Sequence, residues 1–262
     1  MTAPDAPLTG PDTPLTGPGA PLLLVDHGDW LEARFNRPAR LNALTPAMLF
    51  ELAAAVSPAR LGGRQAVVIS GAGDKAFSAG FDLDVLREQG AAAHDGDPLG
   101  TAVAALLHCP APVIAVLHGH CLGAAVEIAA ACDLRLARAD VRIAIPANKV
   151  GSLYRPAGID LVAGRFGWST AVELLVFGRS LTAQTAVARG IVAQAADADS
   201  LPALLTATLA QVLGSSGRAG DHAAFLREWA QAGGLDQDAM RRWETLRAAQ
   251  VASRSIPVRG QP

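Results

Sequence analysis

The chain of 262 residues has a mass of 26.9 kDa; half of its residues are apolar and only 18% are charged. Those values exclude a wholly disordered chain and allow one large core. A formal net charge of −2 and a pI of about 6.3 supply no global basic field, so neither nucleic acid nor a membrane surface is expected as a partner.

The first 21 residues carry a Pro/Gly repeat. Ala6-Pro7-Leu8-Thr9-Gly10-Pro11-Asp12 returns as Thr13-Pro14-Leu15-Thr16-Gly17-Pro18-Gly19, and Ala20-Pro21-Leu22 begins a third copy. Prolines at that density remove the donors a helix or sheet needs, which predicts a disordered tail over residues 1–21. The segment has neither a basic start nor an apolar stretch of signal-peptide type, and a cytoplasmic location is expected. Leu22 to Val25 and Trp30 to Phe35 read as a hairpin about His27-Gly28-Asp29. Thr45 is placed to cap a helix with Pro46 at its first position. The run Ala66 to Ser70, ended by Gly71, predicts a buried strand; Val113 to Leu117 is another, and Leu134 to Ala137 and Val141 to Ile145 two more. Helical segments fall between them over Leu83 to Glu88 and Gly123 to Ala131. This alternation predicts an α/β core of stacked ββα units over residues 22–197. Helical periodicity over Leu201 to Leu213, Asp221 to Ala232 and Asp236 to Ala252 predicts a C-terminal helical region over 198–262.

From Pro98 to Val126 there is no Asp, Glu, Lys or Arg. Pro110, Pro112, Gly119 and Gly123 interrupt the run, so it predicts several buried elements in succession rather than a membrane span. Cys109, Cys121 and Cys132 are odd in number, lie in apolar surroundings and form no C-x-x-C pair, which predicts buried reduced thiols. Cys121 beside His120 is the single candidate nucleophile among them. His118 and His120 lack a third ligand at suitable spacing, so no metal is expected.

Two glycine-bearing loops each follow a strand and enter a helix. In Gly71 to Leu83, the small residues Ser78, Ala79 and Gly80 allow a ligand close to the backbone. In Gly119 to Glu127, small residues occupy a helix start, where unpaired N–H groups and the dipole favour negative charge. Neither loop carries Gly-Lys-Ser/Thr or G-x-G-x-x-G, so a nucleotide-phosphate reading has little support.

In this setting the chain resembles the crotonase (enoyl-CoA hydratase/isomerase) superfamily. The residues that carry the resemblance are Asn36-Arg37-Pro38, Leu41-Asn42-Ala43-Leu44, Lys75 to Leu83, Pro112 to Ala115, Gly119 to Glu127 and Ala131 to Arg135. Glu173-Leu174-Leu175, Gly178-Arg179, Thr182-Ala183 and Gly190-Ile191-Val192 continue it in family order. The resemblance implies a crotonase-type spiral of ββα units, with C-terminal helices that build a homotrimer or hexamer. It implies a coenzyme A thioester as substrate and no separate cofactor. By motif position the oxyanion hole falls on the backbone N–H groups of Phe81 and Ala124, and the first acid/base glutamate on Glu127. A carboxylate in such a dry pocket suits proton transfer. Ser78, Ala79 and Phe81 are the implied contacts to coenzyme A, with Arg40 and Lys75 as candidates for its phosphates.

The chain departs from the family at the second glutamate of the hydratases, where Ala147 stands, followed by Asn148 and Lys149. A methyl group cannot transfer a proton. The next segment, Gly151-Ser152-Leu153-Tyr154-Arg155-Pro156-Ala157-Gly158-Ile159, is similar to the methylmalonyl-CoA decarboxylase branch. In that setting Tyr154 is a candidate to donate a hydrogen bond or proton near the thioester or to orient a substrate carboxylate, and Arg155 to pair with such a carboxylate. Against it, Phe81 stands where that branch carries histidine. The family's usual Phe-x-Glu-Lys-Arg ending is missing, so no coenzyme A contact is assigned to the C-terminal end. The expected function is an acyl-CoA enzyme with one glutamate as acid/base, acting by decarboxylation or isomerisation. Ordinary enoyl-CoA hydration and non-catalytic CoA-ester binding are the alternatives.

Overall fold

A computed structural model describes residues 12–151, 153–213, 218–232 and 237–253. Residues 1–11 of the expected tail and 254–262 of the expected helical region lie outside the described residues. The first half of the chain runs β1 Thr13–Pro14, β2 Leu22–Asp26, β3 Trp30–Phe35, α1 Pro46–Ala55, α2 Pro58–Leu61, β4 Ala66–Gly71, β5 Ala76–Ser78, α3 Leu83–Gln89, α4 Pro98–Leu107, β6 Val113–Leu117, β7 His120–Leu122 and α5 Ala124–Ala131. It continues with β8 Leu134–Arg138, β9 Arg142–Ala144, α6 Pro156–Phe166, α7 Trp168–Leu175, β10 Ser180–Thr182, α8 Ala183–Ala188, β11 Gln194–Ala196, α9 Leu201–Leu213, α10 Ala219–Ala232 and α11 Gln237–Ser253.

Seven strands form one sheet in the order β1-β2-β3-β4-β6-β8-β11, and four form a second in the order β10-β9-β7-β5. From β3 to β11 the large sheet is parallel, as are β5, β7 and β9 in the small one. Each turn of the core supplies one strand to the large sheet, one to the small sheet, and then helix: β4-β5-α3, β6-β7-α5, β8-β9-α6. This is the ββα stacking expected from the sequence. The uncharged run becomes α4, β6, β7 and the start of α5, and among the described residues no helix is long and apolar enough to cross a membrane.

Strand alternation sends the side chains of the large sheet to two faces. Leu31, Ala33, Phe35, Val67, Ile69, Val113, Ala115 and Leu117 face α1, α4 and α5 in the main core. Trp30, Val68, Ile114, Val116 and Leu136 form the other face, covered by Leu201 and Leu209 of α9. Each such buried Leu, Ile, Val or Phe side chain contributes roughly 1.5–3 kcal/mol. Helix α1 starts as read: Thr45 Oγ1 accepts the Met48 N–H at 3.3 Å and Pro46 takes the first position. One compact unit extends to Ala224 and a second runs from Phe225 onward. Within the second, Phe225 meets Trp243 edge-on, and Glu228 accepts hydrogen bonds from Arg242 and from Trp243 Nε1.

Residues 12–21 of the expected tail are held against the large sheet. Thr13 and Pro14 pair with Asp26 and Val25 at the edge of the large sheet. Thr16 Oγ1 accepts the Leu24 N–H at 2.9 Å, Asn36 Nδ2 donates to the Pro18 and Ala20 carbonyls, and Asp12 hydrogen-bonds the His27 ring at 2.6 Å. Side chains of threonine, asparagine and aspartate supply the partners that the prolines cannot, so the second repeat is anchored along β2.

Candidate active site

The loop after β5 is held by main-chain bonds. The Leu44 N–H donates to the Gly80 carbonyl at 2.8 Å, the Asp82 N–H to the Leu44 carbonyl at 2.9 Å, and the Ala79 N–H to the Leu41 carbonyl at 2.9 Å. Because Gly80 and Asp82 both spend their groups on Leu44, the Phe81 N–H between them points the other way. Gly80 has φ +90°, and a Cβ there would lie 2.7 Å from the Leu122 carbonyl oxygen and 3.0 Å from Ala124 N. The two loops therefore meet backbone against backbone, one residue from the Phe81 N–H. Ala124 is the first residue of α5, so its N–H has no acceptor within the helix and lies at the positive end of the dipole.

The template under this loop is the segment Arg37–Leu44, whose Leu41 and Asn42 have φ +50° and +55°. Asn42 is fully buried; its Nδ2 donates to the Ala72 and Ala76 carbonyls at 2.9 and 2.8 Å, and its Oδ1 accepts the Arg37 N–H at 2.9 Å. Arg37 donates to Asp82 at 2.7 Å. Burial alone would raise the Asp82 carboxyl, but the Arg37 hydrogen bond and charge, together with the backbone N–H groups of Asp84 and Val85, outweigh it and hold the group below the usual carboxylate range. Asn42 belongs to the motif the sequence reading used, yet its buried role was not legible there.

Glu127 lies one turn into α5 and is fully buried. Its Oε2 accepts hydrogen bonds from Arg155 Nη2 at 2.8 Å and Nε at 3.2 Å. Among the described residues its buried Oε1 finds no hydrogen-bond partner. The helix that follows Arg155 presents Gly158 to this carboxylate: a Cβ there would lie 2.5 Å from Glu127 Cδ and 2.6 Å from both oxygens. Arg155 also donates from Nη1 to both oxygens of Asp97, at 2.8 and 3.0 Å. Burial lowers the Arg155 guanidinium, and its carboxylate partners Glu127 and Asp97 more than reverse that, so it stays charged. The sequence reading assigned Arg155 to a substrate carboxylate; here it is bound to two carboxylates of the chain itself.

Tyr154 donates its hydroxyl to the Gly123 carbonyl at 3.2 Å. Burial, reinforced by the nearby Glu127 charge, pushes its ionisation far up, so the hydroxyl keeps its proton. Burial also raises the Cys121 thiol, and His120 beside it accepts the Arg142 N–H through Nδ1 at 3.3 Å, which leaves no activated thiolate. At the position of the second glutamate, Ala147 packs against the core, and Asn148 turns away to donate to the Val176 carbonyl at 3.0 Å.

The structure thus brings Phe81, Ala124, Tyr154, Glu127 and Arg155 into one connected set. Phe81 is half-buried, with its ring 5.5 Å from that of His94. Ser78 is buried, and its Oγ accepts the Gly80 N–H at 3.1 Å, which shapes the loop from inside; Ala79 is half-buried beside it. Arg40 is paired with Asp84 and lies 3.7 Å from Asp82. Lys75 is exposed and borders a cavity of about 200 Å³ with Pro38, Leu41, Asn42 and Asp74. Asp97, Gly100 and Gly158 are not expected as site residues from the sequence; Asp97 before a proline shows only a helix-start pattern, and Gly158 belongs to the segment similar to the decarboxylase branch.

The enoyl-CoA hydratase/isomerase family model matches residues 30–240. A 2,3-dehydroadipyl-CoA hydratase of Escherichia coli (strain K12) is 32% identical over 164 residues, 63% of this chain and 64% of that protein. The peroxisomal Delta(3,5)-Delta(2,4)-dienoyl-CoA isomerase of Arabidopsis thaliana is 29% identical over 180 residues, 61% of this chain and 62% of that protein. The match thus spans less than two thirds of the length of either relative. Among solved structures, AtuE of Pseudomonas aeruginosa superposes with a TM-score of 0.80 at 27% identity, covering 90% of this chain and 93% of that one. An enoyl-CoA hydratase of Mycobacterium smegmatis does so with a TM-score of 0.79 at 27% identity and the same coverage, 90% and 93%. With the family's motifs, its ββα architecture and a match over most of its length, the chain belongs to the enoyl-CoA hydratase/isomerase family.

Proposed function

We propose that the chain is an acyl-CoA isomerase working with a single carboxylate. The thioester oxygen sits between the N–H groups of Phe81 and Ala124, with the Phe81 ring bordering the acyl chain. Glu127 Oε1 removes a proton from C2 of a 3-enoyl thioester. The C–H electron pair moves into the thioester, forming a dienolate whose oxygen the two N–H groups stabilise. The same carboxyl group then returns the proton to C4, and the double bond moves from C3–C4 to C2–C3. Each oxyanion donor of this kind contributes about 10²–10³-fold to rate, and a positioned acid/base about 10²–10⁴-fold. The exposed Lys75 and the backbone of Ser78, Ala79 and Phe81 make the coenzyme A side of the site; Arg40, engaged by Asp82 and Asp84, is the weaker candidate for its phosphates. A homotrimer or hexamer is part of the same reading.

The observation that carries it is the Glu127 carboxylate, bound at Oε2 and without a hydrogen-bond partner at Oε1 among the described residues, with alanine at the position of the second glutamate. Decarboxylation of a malonyl-type thioester fits less well. It needs a proton donor for the enolate, and the Tyr154 hydroxyl is turned to the Gly123 carbonyl. It also brings a substrate carboxylate to an arginine already held by two others. Hydration is the second reading, favoured by the names of the relatives that are hydratases. One panel separates them: crotonyl-CoA, a 3-enoyl-CoA, malonyl-CoA and methylmalonyl-CoA, each with wild type and Glu127→Gln. Fastest turnover of the 3-enoyl thioester, reduced about 10²–10⁴-fold in Glu127→Gln, is the expected result. Faster hydration of crotonyl-CoA overturns it in favour of a hydratase, and loss of carbon dioxide from either malonyl-type thioester in favour of a decarboxylase. Tight binding of all four without turnover points to a CoA-ester-binding protein.

A further inference from the structure

We infer that Asp97, at the protein surface, is a positioning residue that holds Glu127 in place through Arg155. The inference rests on the reading of Glu127 as the acid/base. The three side chains form a continuous line: both Asp97 oxygens accept from Arg155 Nη1, and Arg155 Nη2 and Nε donate to Glu127 Oε2. Asp97 precedes α4, Glu127 is in α5, and Arg155 precedes α6, so the line ties together three helices that no local sequence pattern connects.

Two features show that the backbone is shaped around this line. First, Asp97 adopts φ +44°, one of three non-glycine residues with positive φ among those described. The other two, Leu41 and Asn42, underlie the loop of Phe81. Such conformations persist where surrounding structure over-determines them, and they concentrate at functional sites. Second, each end of the line is fenced by a glycine. A Cβ on Gly100 would lie 2.0 Å from Asp97 Oδ2 and 2.9 Å from Arg155 Nη1, and one on Gly158 would lie on the Glu127 carboxyl group. Gly100 sits in the first turn of α4, where alanine is ordinarily the better helix former. The line therefore explains a glycine that helix propensity does not.

Asp97 also caps α4, its Oδ1 accepting the Gly100 N–H at 3.1 Å. The test must separate the cap from the clamp. Asp97→Ser keeps a capping oxygen but is too short to reach the guanidinium. Asp97→Asn keeps both the cap and an acceptor for Arg155 Nη1, and asparagine tolerates positive φ. One readout is solvent exchange of the Arg155 Nε–H by ¹⁵N NMR, with the resonance assigned by its loss in Arg155→Lys. The other is kinetics on the 3-enoyl thioester. Asp97→Ser is expected to speed Arg155 Nε–H exchange at least tenfold and to lower kcat with KM little changed. Asp97→Asn is expected to restore most of both. Gly100→Ala is expected to behave as Asp97→Ser does, although its helix propensity is higher. Unchanged Arg155 exchange in folded Asp97→Ser and Gly100→Ala overturns the inference, as does a kcat equal to wild type in both. If wild type turns over no 3-enoyl thioester, the proposed reaction fails while the exchange data still decide on the clamp.

Discussion

The Phe81–Ala124 side of the site is held by main-chain groups, whereas the Glu127 side is held by side chains. On the first side the donors are N–H groups, positioned by Leu44 and by the contact of Gly80 with the following loop. In the proposed mechanism, residue identity at the donor positions is then secondary, because a backbone N–H is available from alanine as from any residue but proline. On the second side everything depends on the reach of Arg155 and on the carboxylates it joins. A backbone-built half tolerates side-chain drift but not a change of backbone conformation. A side-chain-built half depends on the reach of each side chain and does not tolerate an added methyl group at Gly100 or Gly158.

Gly80→Ala is the strongest way to break this comparison on the backbone side. The new Cβ meets main-chain atoms at 2.7 and 3.0 Å, and φ +90° is unfavourable for alanine, so neither neighbour can yield cheaply. Displacing the Phe81 N–H from the thioester oxygen should cost about 10²–10³-fold in kcat, measured in the same assay as wild type. Gly158→Ala is the matching change on the side-chain side. Here the Cβ meets a carboxylate at 2.5–2.6 Å, which can swing but is tethered by Arg155. A displacement of about 1 Å should cost on the order of 10²-fold in kcat with little loss of binding. If Gly158→Ala leaves kcat unchanged, Glu127 is not held as tightly as its surroundings imply.

The two halves also differed in how far the sequence revealed them. The strands Val113–Leu117 and Ala66–Gly71 were legible because β-branched runs bounded by glycine or proline have one good reading. Ser78-Ala79-Gly80 and Gly123-Ala124 were legible for a related reason: small residues between a strand and a helix mark a close approach, whatever the ligand. The clamp was not legible, because Asp97, Glu127 and Arg155 are separated by tens of residues and only the fold makes them neighbours. Arg155 was noticed as a charge beside Tyr154, and without the fold its natural partner was a substrate rather than Glu127. Helix α4 was missed too: the run from Pro98 was read for its lack of charge, although Asp97 before Pro98 carries a cap and a first-position proline. The Pro/Gly repeat failed in the opposite direction, since its composition spoke for disorder while Thr16 and Asp12 had partners waiting on β2 and at His27.

Tyr154 stands where the two halves meet, donating to the Gly123 carbonyl and lying beside the Glu127 carboxylate, which makes Tyr154→Phe the finest test of the comparison. The Tyr154 hydroxyl donates to the carbonyl of Gly123, the residue just before the Ala124 donor. Its role on this geometry is to steady the backbone half, and its raised ionisation keeps the proton on oxygen. Losing one such hydrogen bond should lower stability by about 1 kcal/mol, read by chemical denaturation, and reduce kcat by less than about tenfold. A proton donor to the enolate would instead lose about 10²–10⁴-fold. The size of the Tyr154→Phe effect therefore assigns the hydroxyl to the support of a main-chain loop or to the proton-transfer machinery around Glu127, and a loss of the larger size would move Tyr154 across the boundary between the two halves.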